Sequence, residues 1–427
     1  MRWLFISAGV FVAALLLRVS VSAQNDDLLF DALTHPAIAY RTTAPHDRVA
    51  ELVRKLQAGE SRLAFAADGS GYLRSVLDAL HVPVESQMAV FSQTSLQSPI
   101  ITPRNPRTIF FTDDVAVAWP RGGFIEIAAH DPQQGMQFYM LRQEQTPIPE
   151  LIRPEAMRQG ACLGCHHALS TRDVPGMLVL SVAAGADGRT LPYVANFITD
   201  DRSPLEQRWA GWYVTGKTGA AKHLGNLDAL TTREGAPVIA PHVTSVDSLA
   251  GLLDVTSYVT PYSDIAALLV FDHQAHVVNT LTRAAWEVRI AEADHRADAG
   301  AIVTRDAQDL VDVLLFVDEA RLPGGIESGS GFVRAFEQRG PADRKGRSLR
   351  QLDLRARLMR YPCSYMIYSA AFDALPRSLK DAAYRRLWSV LSGTDTSARY
   401  ARLTKDDRRA IADILRETKP DLPSYFQ

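Results

Sequence analysis

Cysteine is scarce in this chain: 427 residues carry three. That is too few for a disulfide scaffold. An excess of charge is missing too. The 46 Lys and Arg nearly balance the 48 Asp and Glu, leaving a net charge of −2, so no basic footprint marks a nucleic-acid partner. After the first 23 residues no apolar run approaches the roughly 20 residues a membrane helix needs. The Gly-rich stretch "LPGGIESGSG" (322–331) has no phosphate-loop lysine and reads as a connector. No internal repeat or low-complexity segment is visible. What is abundant is apolar side chain, 47% against 22% charged. That composition builds a packed core, in one large domain or two to three smaller ones.

The start, "MRWLFISAGVFVAALLLRVSVSAQ", reads as an export signal. Arg2 supplies the positive end, Trp3 to Leu17 the apolar stretch, and Val21-Ser22-Ala23 a cleavage site before Gln24. An uncleaved N-terminal anchor is the alternative. Losing Arg2 and Arg18 takes the net charge from −2 to −4. The expected location is the periplasm or another exported compartment.

Two of the three cysteines sit in "GACLGCHHAL" (160–169). C-x-x-C-H is the attachment signature of c-type haem. Two thiols three positions apart on a helical turn add to the two vinyl groups on one edge of the ring. The next residue then lies under the iron. Cys162 and Cys165 are thus the expected thioethers and His166 the proximal ligand of one covalent haem c. A zinc site needs a second pair of ligands, and none is near. A thioredoxin-like dithiol normally follows a strand, which "PEAMRQGACLGC" does not resemble. His167 cannot bind the same iron beside His166 and reads as a solvated neighbour. Cys363, in "RYPCSYMIY", reads as a buried thiol.

The expected fold class is α+β. A small antiparallel sheet surrounds the haem segment in the N-terminal half, and the C-terminal half is mostly helical. Helical spacing appears at 47–59 and 72–80. "RTIFFTDDVAVAW", "GGFIEIAAH" and "QGMQFYMLRQ" read as strands. "GMLVLSVAAGADGRTLPYV" reads as a hairpin turning at Ala186-Asp187-Gly188. Residues 263–293 give one long helix pattern. "DAQDLVDVLLFV", "KDAAYRRLWSVLSG" and "TKDDRRAIADILRETKP" give three more, the last with a capping-box-like start at Thr404 and Asp407. The implied divisions are 1–23 signal, 24–145 N-terminal α+β region, 146–245 haem-attachment segment with hairpin, and 246–427 helical region. The last three of these are also readable as one haem-binding unit.

Five stretches carry a resemblance: "SPIITPRNPRTIFFTDDVAVAW", "CLGCHHAL", "RWAGWYVTG", "TPYSDIAALLVFDHQ" and "LMRYPCSYMIYSAAFDALP". In them the chain resembles exported bacterial c-type-cytochrome-like proteins with a single C-x-x-C-H in about 400 residues, a length typical of two or more domains. The resemblance implies covalent haem in an exported protein and leaves the reaction open.

The sixth iron ligand decides between function classes. Met177 follows His166 by eleven positions, and Pro175-Gly176 offers a turn, so a thioether closing the iron for electron transfer is the expected arrangement. His223 in a polar loop, His273 and His276 on the long helix, and His35 are further candidates. His273 falls on the apolar stripe of Leu269, Val277, Leu281 and Val288, where a hydrogen-bonded core histidine is usual. His276 aligns with Asp272 and Thr280 on a more polar face. The basic run Arg344 to Arg360 reads as a solvated helix face, with propionate pairing or partner docking as alternatives. Two classes follow. One is electron transfer with a redox partner protein. The other is a peroxidase-like or other haem enzyme with an open sixth position and His273 as acid–base residue.

Overall fold

The computed structural model describes residues 29, 32–147, 149–153, 162–226, 230–231 and 237–426. The expected signal at 1–23 lies outside them. Among the described residues no helix is long and apolar enough to cross a membrane.

The N-terminal half is built on a seven-stranded antiparallel sheet. Its strands are β1 (Met88–Val90), β2 (Arg107–Phe111), β3 (Val115–Pro120), β4 (Ile125–Asp131), β5 (Gly135–Leu141), β6 (Leu151–Ile152) and β9 (Trp212–Tyr213), in the order β6-β5-β4-β3-β2-β1-β9. β9 lies beyond the C-x-x-C-H motif in sequence yet closes the sheet beside β1. The regions expected at 24–145 and 146–245 therefore share one sheet. The strands were expected to be fewer: "RTIFFTDDVAVAW" is a hairpin, β2 and β3, not one strand. Thr112 turns it, its hydroxyl accepting from Val115 N–H at 3.2 Å. Arg48 holds the neighbouring Asp114 by a two-nitrogen grip.

Both sheet faces are covered, which explains the nearly continuous apolar strands. Phe110, Val117, Ile127 and Tyr139 align across four strands and pack with helices α1 (Arg48–Gln57) and α2 (Leu73–Ala79). Asp47 caps α1 by accepting from Val49 and Ala50 N–H. On the other face, Phe111, Ala116, Ala128 and Phe138 align toward the long helix α4 (Ile265–Ala293). Phe111 meets Phe271 of α4 at 5.0 Å between ring centroids.

Two short strands, β7 (Leu180–Val182) and β8 (Asn196–Ile198), form a hairpin whose first strand and tip fall where expected, while its return strand lies beyond the expected 176–194. Its tip folds at Gly185 to Gly188, where Gly188 donates to the Gly185 carbonyl.

α4 is the spine of the molecule. Asp264 caps it, and all of its residues except Arg283, Arg289, Glu292 and Ala293 are buried. Around it lie α5 (Ala299–Leu314), α6 (Phe332–Glu337), α7 (Ala370–Asp373), α8 (Arg377–Leu391) and α9 (Lys405–Thr418). The capping box at Thr404 and Asp407 is present. The run Arg344 to Arg360 is not a helix face. It is irregular chain, and its arginines are spent internally: Arg350 is buried, pairs with Asp113 and stacks over Tyr365 at 4.3 Å, while Arg347 pairs with Asp343 and Arg357 with Asp407.

Candidate haem-attachment site and a buried histidine cluster

Cys162 to His166 make a single helical turn, α3 (Leu163–His166), in which His166 N–H donates to the Cys162 carbonyl at 2.9 Å. Leu163 is buried in the main core and anchors the turn. Cys165 is exposed and Cys162 half-buried, and neither is in a disulfide. The turn thus presents two thiols and an imidazole from one short segment.

The chain after His166 folds back as a closed loop. Thr171 braces it: its hydroxyl donates to the Val174 carbonyl at 2.8 Å and accepts from Ala168 N–H at 3.0 Å. Arg172 and Asp173 both adopt left-handed φ, 61° and 59°, a strained pair for non-glycine residues. Arg172 is tied to Thr280 of α4 at 2.7 Å. The loop returns at Gly176, whose N–H donates to the His166 carbonyl at 2.9 Å. The His166 ring closes the circuit, Nδ1 donating to the Gly176 carbonyl at 2.9 Å.

That last bond sets the chemistry of His166. With the proton held on Nδ1, the lone pair is on Nε2. A metal-binding histidine is usually oriented in this way by a carbonyl or carboxylate at its other nitrogen. Burial pushes the His166 pKa down, with the Gly176 carbonyl opposing, so the ring is neutral and able to ligate. Phe138 of β5 packs against it at 4.8 Å between centroids. The donor set fits a covalent haem: two thiols and a correctly protonated imidazole on one turn. Leu169, three residues on, is 82% exposed, an apolar side chain beside the motif with no protein over it.

Met177 is clamped. Asn279 of α4 accepts from Met177 N–H and donates to its carbonyl, both at 2.8 Å. The Pro175-Gly176 turn expected before Met177 is present, and it returns the main chain to the Nδ1 edge of His166, where the Gly176 carbonyl accepts the ring proton.

The histidine candidates are placed elsewhere. His35 pairs with Asp294 near the end of α4. His223 is not in a solvated loop: it is fully buried beside Trp209 and His242. Its Nδ1 accepts from Gly225 N–H at 3.0 Å, which assigns the proton to Nε2 and leaves no lone pair there for a metal. Burial lowers its pKa to about 4, with His242 adding. His167 is half-buried, not solvated, with Nε2 enclosed and unpartnered. Cys363 is the buried thiol expected, its pKa pushed up to about 12 by burial.

His273 and His276 belong to a second, wholly internal cluster. Asp201 bridges them, each carboxylate oxygen accepting from one Nδ1 at 2.7 Å. His273 Nε2 is taken by Ser364 at 2.8 Å, and Phe316 stacks on its ring at 4.0 Å. Both nitrogens of His273 are therefore hydrogen-bonded. The two histidines hold Asp201 far below the usual carboxylate range. His276 was placed on a polar face of α4, but that face is covered, and the ring is buried. Next to it, Asp272 pairs with the buried Arg208 at 3.1 Å. Burial, reinforced by Asp200 and Asp201, raises the Asp272 pKa to about 7. Asp201, Arg208 and Ser364 were not singled out in the sequence. They come from two distant segments, 201–208 and 364, and share no motif.

No family model, no curated protein and no solved structure matches this chain. Geometry alone carries the functional reading.

Proposed function

We propose that this protein is an exported c-type cytochrome carrying one covalent haem on Cys162 and Cys165, with His166 as proximal ligand. The observation that carries the reading is the His166 Nδ1 bond to Gly176, which leaves a neutral imidazole with its Nε2 lone pair beside two thiols on the same turn. When bound, a haem of this kind supplies a one-electron iron couple. The protein's share is to fix the imidazole through the 166–177 loop, to lock that loop on α4 through Asn279, and to pack Phe138 on the ring.

Electron transfer is the function this arrangement supports best. Cys165 is exposed, so the attachment edge lies at the surface, where a redox partner protein reaches it. A second reading is favoured by the histidine candidates: His223 accepts from Gly225 through Nδ1 and His273 is bonded through both nitrogens, which suits an open position taking a small ligand. Reduced-protein absorption spectra with and without carbon monoxide test the choice. An unchanged spectrum supports a closed iron and electron transfer. A shifted one supports ligand chemistry.

A further inference from the structure

Two carboxylates are buried side by side where α4 meets α5. Glu287 of α4 and Asp306 of α5 are both almost fully enclosed. Each bonds the same nitrogen of Arg305, Asp306 at 2.7 Å, so their oxygens are close neighbours. The other Asp306 oxygen, Oδ2, is enclosed and unbonded. Two carboxylates this close and this dry do not both stay ionised. Burial and the Glu287 charge raise the Asp306 pKa above the ordinary carboxylate range, against the pull of Arg305. The pair therefore holds one proton.

The pair is one end of a string of charges whose other end is the loop that holds His166. Glu287 accepts from Arg283 at 2.9 Å. Arg283 reaches Asp173 at 3.8 Å and the Arg172 carbonyl at 3.5 Å. Those are the two loop residues with left-handed φ. Arg172 in turn pairs with Asp309 of α5 at 3.7 Å, and Arg202 beyond it is paired with Asp200. The cations Arg172, Arg283 and Arg305 thus meet four acids, Asp173, Glu287, Asp306 and Asp309, and one proton balances them. Asn279, Arg283 and Glu287 follow one another at one-turn spacing on α4. The pair lies about 12 Å along the helix from the clamp on Met177. Arg305 is partly exposed, which leaves the pair near the surface.

We propose that the Glu287–Asp306 pair takes up a proton when the protein is reduced and releases it on oxidation. This rests on the haem reading above. The electron comes from the redox partner. The proton comes from water and forms one O–H bond on Asp306. An electron added near the loop makes a buried carboxylate costlier to keep ionised, and salt screens buried charges little. By linkage, the protein with a protonated pair holds the electron more tightly than with an ionised one. The midpoint potential therefore falls as pH rises through the titration of the pair.

Potentiometric titration of the full-length protein at a series of pH values from 6 to 9, beside Asp306→Asn, tests this. Asparagine keeps the shape of the side chain and cannot titrate. With the proton held threefold more tightly in the reduced form, the wild-type potential drops by about 30 mV across the range. The drop is absent in Asp306→Asn. Glu287→Gln removes the other half of the pair and flattens the profile as well, so either variant decides. A wild-type potential independent of pH, or equal slopes in wild type and variants, overturns the proposal and leaves the haem reading intact. A wild-type chain whose mass shows no haem overturns both.

Discussion

His166 and Gly176 are joined twice: ring Nδ1 to the Gly176 carbonyl, and Gly176 N–H to the His166 carbonyl, both at 2.9 Å. Ten residues of chain close into a loop whose purpose, mechanically, is to stop one imidazole from turning. The loop is in turn fixed to the spine of the fold, because Asn279 bonds both main-chain groups of Met177.

Asn279→Ala removes both of those bonds and orphans two main-chain groups. A loss of stability of about 1–3 kcal/mol per enclosed group follows, read by denaturant unfolding. The haem stays attached through its thioethers, so staining after denaturing electrophoresis persists. A variant as stable as the wild type would show the clamp to be dispensable.

Met177→Ala tests the thioether expected to close the iron. With Met177 as ligand, the oxidised wild type shows a far-red sulfur-to-iron band, and the variant loses it and opens to carbon monoxide. A wild type without the band, with carbon monoxide reactivity the same in variant and parent, would exclude the thioether.

His223 gives a pH prediction with a definite sign. Its folded pKa is about 4 against about 6.5 in an unfolded chain. The unfolded state takes up a proton first, so stability is complete above pH 6.5 and is lost as pH falls toward 4. Over that range the wild type's stability relative to His223→Gln falls by up to about 3 kcal/mol. Unfolding curves at pH 7 and pH 4.5 measure it. Equal differences at the two pH values would mean that the ring protonates freely in the folded state.

Arg208→Ala removes the cation that opposes protonation of the buried Asp272, so Asp272 takes up a proton and the loss stays near the low end of the about 3–5 kcal/mol that breaking a buried pair costs. Asp272→Asn is milder, because burial already favours the neutral acid at this position. Thermal unfolding of the two variants checks the order.

The sheet, the hairpin and the terminal helices were legible because their periodicities are local. The C-x-x-C-H turn was legible because its chemistry lies within five residues. What was not legible depends on long-range burial. The more polar face of α4 is covered by the chain from Asp200 to Arg208, so His276 becomes an internal residue. The arginines after 344 look solvated in sequence, yet Arg350 finds Asp113, more than two hundred residues away. The spacing from His166 to Met177 was legible, but the clamp on it was not: Asn279, 102 residues further on, bonds both main-chain groups of Met177.

The most direct test is the mass of the denatured, full-length protein from cells able to mature cytochromes, compared with Cys162→Ser/Cys165→Ser. The account predicts one haem covalently retained by the wild type and none by the double variant. A wild-type chain that carries no haem under these conditions would contradict it.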